Sequence, residues 1–193
     1  MKPLNTNFQP FPVIRTKRLL MRAITMQDVD ACFRHRSDPD LYKFLIRPPA
    51  TSIAEAEEFI HRVLTAQHTG DGIHWGLELP ERPGYMIGNI GIWQIYKSDY
   101  RGVLGYMMDK EYHGYGYMSE ALTEVMKYGF ETIGLHSLKA DVTYGNLPSM
   151  NLLERHGFTQ EAHFKEDCFK DGKFLDTVVY GLINPNQKVE RFL

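Results

Sequence analysis

Residues 113–121 run His113-Gly114-Tyr115-Gly116-Tyr117-Met118-Ser119-Glu120-Ala121, and their neighbours make them the junction on which the fold turns. Val103 to Met108, just before, reads as a strand. From about Tyr117 to Ile133, Ala121, Leu122, Val125, Met126 and Phe130 recur at helical spacing. Two glycines therefore join a strand to a helix N-terminus. The first N–H groups of a helix have no intrahelical partner, and the helix dipole adds partial positive charge there. Glycine lets the main chain approach a ligand closely, so Gly114 to Ser119 can receive a diphosphate. A tight turn whose glycines serve φ/ψ alone has the same sequence signature. Other phosphate motifs fit poorly. A Walker loop needs Gly-Lys-Ser/Thr, and a Rossmann fingerprint wants a third glycine at Ser119 and a place at the start of the fold.

Working outward, Ile73 to Leu79 alternates, with Ile73, Trp75, Leu77 and Leu79 on one face and His74, Gly76 and Glu78 on the other. A turn at Glu81 to Gly84, a strand from about Tyr85 to Ile95 and a turn at Ser98-Asp99 lead to the strand before the loop. Short turns in that order point to antiparallel pairing. Leu138 to Thr143 follows the helix as the next strand, giving one strand–glycine loop–helix–strand crossover. A short helix, Ser149 to His156, stops at Gly157, a residue suited to the left-handed C′ position. Two last strands, Phe158 to Phe169 and Phe174 to Ile183, flank the hairpin turn Asp171-Gly172. Nearer the N-terminus, Arg18 to Ile24 is a first strand. Thr25 with Asp28 caps a helix carrying Val29, Cys32 and Phe33 on one face, interrupted at Asp38-Pro39. Ser52 with Glu55 is a capping-box pattern opening a helix with Phe59, Ile60, Val63 and Leu64 inward. The pattern is a mixed α/β sheet in a single domain over residues 1–193, with an extended arm at 1–12 and a tail at 184–193.

Composition narrows the function classes. At 193 residues the chain suits one domain with a full core. Hydrophobic residues at 43% and charged residues at 24% are ordinary for a soluble globular protein. A formal charge of −2 provides no long-range field toward a polyanion, so no nucleic-acid partner is expected. Two cysteines, Cys32 and Cys168, are too few for a disulfide framework or a cysteine metal site, and no metal is expected. The stretch MKPLNTNFQPFP lacks the apolar region of a secretion signal, and no window reaches the roughly 18–20 apolar residues that span a bilayer. The expected compartment is the cytoplasm, with no membrane partner.

Residues 146–158 carry a second pattern, Asn146-Leu147-Pro148-Ser149-Met150-Asn151-Leu152-Leu153-Glu154-Arg155-His156-Gly157-Phe158. Asn146 follows a strand and Ser149 opens a helix, so both belong to one end of the sheet. Turn and N-cap roles account for the same two residues. With the loop at the right distance before it, this segment resembles the Asn-x-x-Ser/Ala…Gly-Phe segment of the GNAT N-acetyltransferase superfamily. The glycine loop resembles that superfamily's acetyl-CoA loop, Gln/Arg-x-x-Gly-x-Gly/Ala. His113 takes the Gln/Arg place, Gly116 the glycine and Met118 the Gly/Ala, so two of three fixed positions depart. Leu104-Gly105-Tyr106 and Ser119-Glu120-Ala121-Leu122 resemble the ribosomal-protein (Rim-type) branch. The resemblance runs from about Thr16 to Ile183. It implies a GNAT-like α/β (α+β) single domain, a mostly antiparallel central sheet with helices on both faces.

The resemblance implies acetyl transfer from acetyl-CoA to a primary amine, with a protein N-terminal α-amino group as the first expectation. A small amine or polyamine acceptor and an acetyl-CoA sensor without turnover are the alternatives. The cofactor-binding set is then Met107, Met108, His113, Gly114, Tyr115, Gly116, Tyr117, Met118, Ser119 and Asn146. A backbone N–H near Met107 or Met108 serves the oxyanion, and Asn146 meets the pantetheine arm. Ser149 acts near the sulfur, because the place of the tyrosine that many GNAT enzymes use as acid is Leu153 here. The glutamate of Rim-type enzymes falls on Cys168, so Glu166, two residues earlier and on the same face by period 2, is the first candidate base. Glu78, His74 and water remain open. Cys32 is expected in the core, and the tyrosines Tyr112, Tyr115 and Tyr117 in packing more than in adenine stacking. Oligomeric state has no sequence signal.

Overall fold

In the computed structural model, which describes residues 2–187, the alternating segments pair into one sheet of eight strands. They are β1 (Ile14–Arg15), β2 (Leu20–Ala23), β3 (Ile73–Glu78), β4 (Met86–Tyr96), β5 (Arg101–Met108), β6 (Ser137–Thr143), β7 (Thr159–Lys170) and β8 (Lys173–Ile183). The order is β1-β2-β3-β4-β5-β6-β8-β7, antiparallel at every step except β5–β6. A parallel pair needs a crossover. It is supplied by the glycine loop and α4 (Tyr117–Lys127), which runs on into a π-helical turn, Tyr128–Ile133, closed by left-handed Gly134.

The two helices expected near the N-terminus form as α1 (Val29–Ser37), followed across the Asp38-Pro39 break by the short α2 (Pro39–Tyr42), and α3 (Ile53–Thr69). Thr25 and Asp28 make their reciprocal capping box, and Asp38 caps α2 through the N–H groups of Asp40 and Leu41. At α3 the expected box differs. Ser52 makes no cap hydrogen bond to the backbone, and Thr51 is the main partner, its hydroxyl 2.7 Å from Glu55. The last helix, α5 (Leu147–Arg155), also differs from expectation. It begins at Leu147 with Pro148 in its first turn, so Ser149 lies inside it and Asn146 is the cap residue.

Helices cover both faces of the sheet. On one face Ala121, Leu122 and Val125 of α4 and Leu152 and Leu153 of α5 pack with Ile73, Trp75, Ile90 and Tyr180. On the other, Phe59, Ile60 and Val63 of α3 and Cys32 of α1 pack with Ile24 and Met86. This explains why β3 is buried along all six residues rather than only on its Ile73, Trp75 and Leu77 face. Glu78 is compensated there by Arg22, whose guanidinium joins it to Asp28 at 2.7 and 2.8 Å. The N-terminal arm docks on the first face: Phe8 is fully buried and the Pro12 carbonyl accepts from Trp75 Nε1 at 2.7 Å. Residues 188–193 of the expected tail lie outside the described residues, while Asn184 is buried against the Leu135 carbonyl.

A gap opens in the middle of this sheet. β5 and β6 pair only over Arg101↔Ser137, Gly102↔Leu138 and Val103↔Lys139. Beyond Val103 the two strands diverge. The divergence follows a bulge at Trp93, where Ile92 pairs with Leu104 and Gln94 with Val103. A bulge bends and twists its strand, and an added twist in β4 turns the end of β5 away from β6.

Candidate active site

The gap leads into a cavity of about 410 Å³. Its sheet wall is Asn89, Trp93, Leu104 to Met107, Ala140 to Thr143 and Thr177, and Asn146 and Ser149 stand at one end. Cys32, His35, Arg36, Phe59 and the segment Phe44–Arg47 form the helical wall. The Phe44 carbonyl accepts from Thr143 Oγ1 at 3.0 Å, and Lys170 Nζ donates to the carbonyls of Tyr42 and Lys43 at 2.6 and 3.2 Å. β6 and the last hairpin thus hold residues 42–44, at the end of α2, beside the cavity.

Trp93 lies in the cavity wall because Gly105 makes room for it. A Cβ at Gly105 would sit 2.1 Å from Trp93 Nε1. Gly105→Ala is therefore expected to displace the indole and destabilise the fold by about 1–3 kcal/mol, as overpacking does. A melting temperature equal to that of the unmodified protein would count against this packing.

On β5 the backbone separates the two methionines expected to serve the oxyanion. The Asp109 N–H donates to the Ile87 carbonyl at 2.8 Å, toward β4. By alternation Met107 also faces β4, whereas the N–H groups of Tyr106 and Met108 face the gap. The Met108 carbonyl accepts from His113 Nε2 at 2.8 Å, so that nitrogen carries its proton toward the strand rather than outward.

The glycine loop presents its N–H groups as a local row. Among the described residues no hydrogen-bond partner is found for the N–H groups of residues 114–119; the first intrahelical bond is Glu120 N–H to the Gly116 carbonyl. Gly114 and Gly116 have φ of +83° and +80°, the left-handed region that turns a strand end into a helix start. Arg18 braces the outside. It donates to the Tyr115 carbonyl at 2.7 Å, pairs with Glu120 at 2.7 Å and stacks over Tyr117. Met118 packs against the core. Tyr112 is buried, while exposed Tyr115 stacks on Tyr117 at 5.9 Å. Ser119 Oγ lies 3.2 Å from His156 Nε2, tying α4 to α5.

At α5 the Asn146 side-chain oxygen accepts from the Ser149 N–H at 3.3 Å. That is the helix cap, and it leaves the Asn146 amide donors available to the cavity. Ser149 Oγ instead lies 2.7 Å from the Tyr106 hydroxyl. Tyr106 is the functional candidate that sequence reading missed. Burial pushes its phenol up to about 12, so it stays protonated at neutral pH.

The candidate bases lie elsewhere. β7 carries a bulge between Phe164 and Cys168, and Glu166 has a φ of +52°, so period 2 fails there. Glu166 is exposed and outside the cavity wall, its N–H donating to Asp176. Glu78 is committed to Arg22, and His74 is fully buried against Trp93, with burial pulling its imidazole down to about 3. Among the described residues the cavity wall holds one carboxylate, Asp141, paired with Lys139 at 3.0 Å. Cys32 is core, its thiol pushed up to about 12 by burial. Cys168 is half-buried, 3.7 Å from Thr177 Oγ1 and not in the wall. Cys168→Ala is expected to keep most of the turnover, with no acetylated enzyme accumulating when acceptor is withheld. A stoichiometric acetyl-Cys168 in mass spectrometry would refute direct transfer and indicate a ping-pong route.

Past the point where β5 and β6 diverge lies the row of N–H groups of residues 114–119, for which no hydrogen-bond partner is found among the described residues. A family model described as an acetyltransferase (GNAT) domain matches residues 18–159. The chain belongs to the GNAT family and is an acetyl-CoA-dependent N-acetyltransferase. It is 30% identical over 177 residues to an uncharacterized N-acetyltransferase of Bacillus subtilis, YoaA, covering 92% of this chain and 99% of that one. Over 118 residues it is 30% identical to the [ribosomal protein uS5]-alanine N-acetyltransferase of Escherichia coli, covering 61% of this chain and 60% of that one. The fold superposes on the ribosomal L7/L12 α-N-protein acetyltransferase RimL in complex with coenzyme A, with a TM-score of 0.81 at 20% identity. That match covers 89% of this chain and 98% of that one. Among the described residues no helix is long and apolar enough to cross a membrane.

Proposed function

We propose that this chain transfers the acetyl group of acetyl-CoA to a protein N-terminal α-amino group by direct attack, with Ser149 at the departing sulfur. The observation that carries the reading is the Ser149–Tyr106 hydroxyl pair, 2.7 Å apart in the cavity that the β5–β6 gap enters. The residues fit the cosubstrate. Gly114 to Ser119 offer backbone donors to a diphosphate, and the Asn146 amide and the open edge of β5 offer donors to an amide-containing arm.

Acetyl-CoA, when bound, supplies an activated acetyl thioester. The Met108 N–H, turned into the gap, donates to the acetyl oxygen as charge develops on it. As the amine nitrogen bonds to the acetyl carbon and the C–S bond breaks, Ser149 Oγ–H gives its proton to the departing sulfur, whose thiol pKa is about 8.5, and takes up, directly or through water, the proton that the amine nitrogen releases, while the Tyr106 O–H donates to Ser149 Oγ. Glu166, Glu78 and His74 lie outside the cavity wall, and the carboxylate and the imidazole that the wall holds among the described residues are engaged, Asp141 with Lys139 and His35 with Asp109, so in this reading the amine enters already neutral. That favours an α-amino group, which titrates near 8, over a lysine near 10.4: at neutral pH the neutral fraction is about a tenth in the first case and below a thousandth in the second. The Escherichia coli relative, a [ribosomal protein uS5]-alanine N-acetyltransferase, supports a protein acceptor, and a spermidine N(1)-acetyltransferase of Vibrio cholerae is also among the relatives, so polyamines belong in the test.

The test is thiol release from acetyl-CoA with a panel of free-N-terminus peptides, the same peptides N-blocked with an internal lysine, and polyamines. Release with the free N-termini and not with the blocked peptides is expected. Binding of acetyl-CoA without release by any amine would leave a sensor and remove the enzyme reading.

A further inference from the structure

Arginines from three segments crowd the helical side of the cavity: Arg36 in the last turn of α1, Arg47 between α2 and α3, and Arg62 on α3. Arg36 and Arg47 line the cavity itself. Arg36 is only 9% exposed, lies 4.9 Å over the Phe59 ring, and leaves Nε and Nη1 without any hydrogen-bond partner among the described residues. Two half-buried arginines of the same region are paired with carboxylates. Arg34 meets Asp109 at 2.9 Å, and Arg22 meets both Asp28 and Glu78. Neither Arg36 nor Arg47 has such a carboxylate among the described residues. Glu55 is the acid that acts on Arg36, and its oxygens are taken by Thr51 and Ser52.

Burying a guanidinium without a counter-ion is unfavourable, and gathering like charges around it adds to the cost. Burial, then Arg36 and Arg62, pull the Arg47 guanidinium down to about 10. A planar anion in the cavity removes both penalties at once, because a carboxylate takes two parallel N–H donors from a guanidinium fork. The apolar side chains Phe44, Phe59 and Trp93 beside the arginines lower the local dielectric and strengthen such a pair.

We propose that the acceptor carries a carboxylate close to its amine, which docks on Arg36 and Arg47 while the amine is presented toward Ser149. This rests on the acetyl-transfer reading above and names its substrate class. A polyamine, which brings only positive charge, is disfavoured at this wall. The same chemistry has two sources, the α-carboxylate of a free amino acid and an acidic side chain beside a peptide N-terminus.

Matched pairs differing only in the carboxylate test it: peptides beginning Ser-Asp and Ser-Asn, and serine against serine amide, with spermidine as the polycation. KM and kcat are measured for each. Calorimetry of the protein with the N-acetylated forms of each pair reads the site without turnover. The acidic member of at least one pair is expected to bind about ten- to a hundredfold more tightly, the range of a charge-assisted contact. Preference for the peptide pair or for the serine pair tells the two sources apart. Arg47→Gln, at a half-buried position and checked by melting temperature, should reduce the preference to about twofold or less, with Arg47→Lys restoring part of it and acetyl-CoA affinity unaltered. Arg36→Gln, checked by melting temperature, should do the same.

Equal affinity within both pairs, or a preference that survives both glutamine variants, overturns the anion site. Tight acidic ligands without thiol release would remove the transfer reading and leave the site standing. Turnover of amines with no carboxylate preference would do the reverse.

Discussion

Ser149→Ala is expected to lower kcat roughly ten- to a thousandfold while acetyl-CoA affinity stays close to wild type. The magnitude follows the usual 10²–10⁴ for an acid–base group, reduced by partial rescue from water. Affinity is spared because a ground-state thioester sulfur is a weak acceptor. A purely structural role for Ser149 gives a different outcome. Its hydroxyl does not cap α5, since Asn146 does that, so the side chain's structural contribution is its bond to Tyr106. Losing that bond costs about 0.5–1.5 kcal/mol. Tyr106→Phe removes the same bond and keeps the serine hydroxyl, so it supplies the control. If Ser149→Ala and Tyr106→Phe shift the melting temperature alike and leave kcat alone, Ser149 is a packing residue. A kcat loss much larger for Ser149→Ala than for Tyr106→Phe places the serine at the sulfur.

Gly116→Val should raise the Kd for acetyl-CoA by about ten- to a hundredfold. Space is not the reason: a Cβ there meets only Arg18 Nη2, at 3.5 Å. Conformation is. Gly116 caps α4 at φ +80° and ψ 8°, where a side chain costs about 1–2 kcal/mol and a β-branched one more. The chain escapes by rotating the loop, which turns the N–H groups of residues 114–119 away from a common point. The loop is exposed, so stability should fall far less than binding. Unchanged affinity in calorimetry, with the fold intact, sinks the assignment of this loop to the diphosphate.

The parts of this site that were legible in sequence are those set by local pattern. The strand, two glycines and helical period of residues 103–133 place the loop, and the spacing of Asn146, Ser149 and Gly157 places the second segment. Capping was legible to within three residues. Thr51 displaced Ser52 and α5 began two residues early, the second signalled by Pro148, a residue that favours a first turn. Glu166 shows where local reading stops. Its face depends on a bulge against β8 that no glycine marks in β7, so counting by two along the strand gave the wrong side. Tyr106 and the Arg36–Arg47 pair were beyond reach for a related reason. Each acts through a partner far along the chain, and only the tertiary fold brings Tyr106 to Ser149 or Arg36 to Arg47.

Direct acetyl transfer to an amine, with no covalent enzyme stage, is the central claim. Its most direct measurement is mass spectrometry of protein and acceptor after incubation with isotopically labelled acetyl-CoA and a mixed panel of peptides and small amines. The expected result is one labelled acetyl group on an acceptor α-amine for each CoA thiol released, with the protein itself unlabelled. Label on the protein in amounts matching the enzyme, or acetyl-CoA bound and intact beside an unmodified panel, would contradict it.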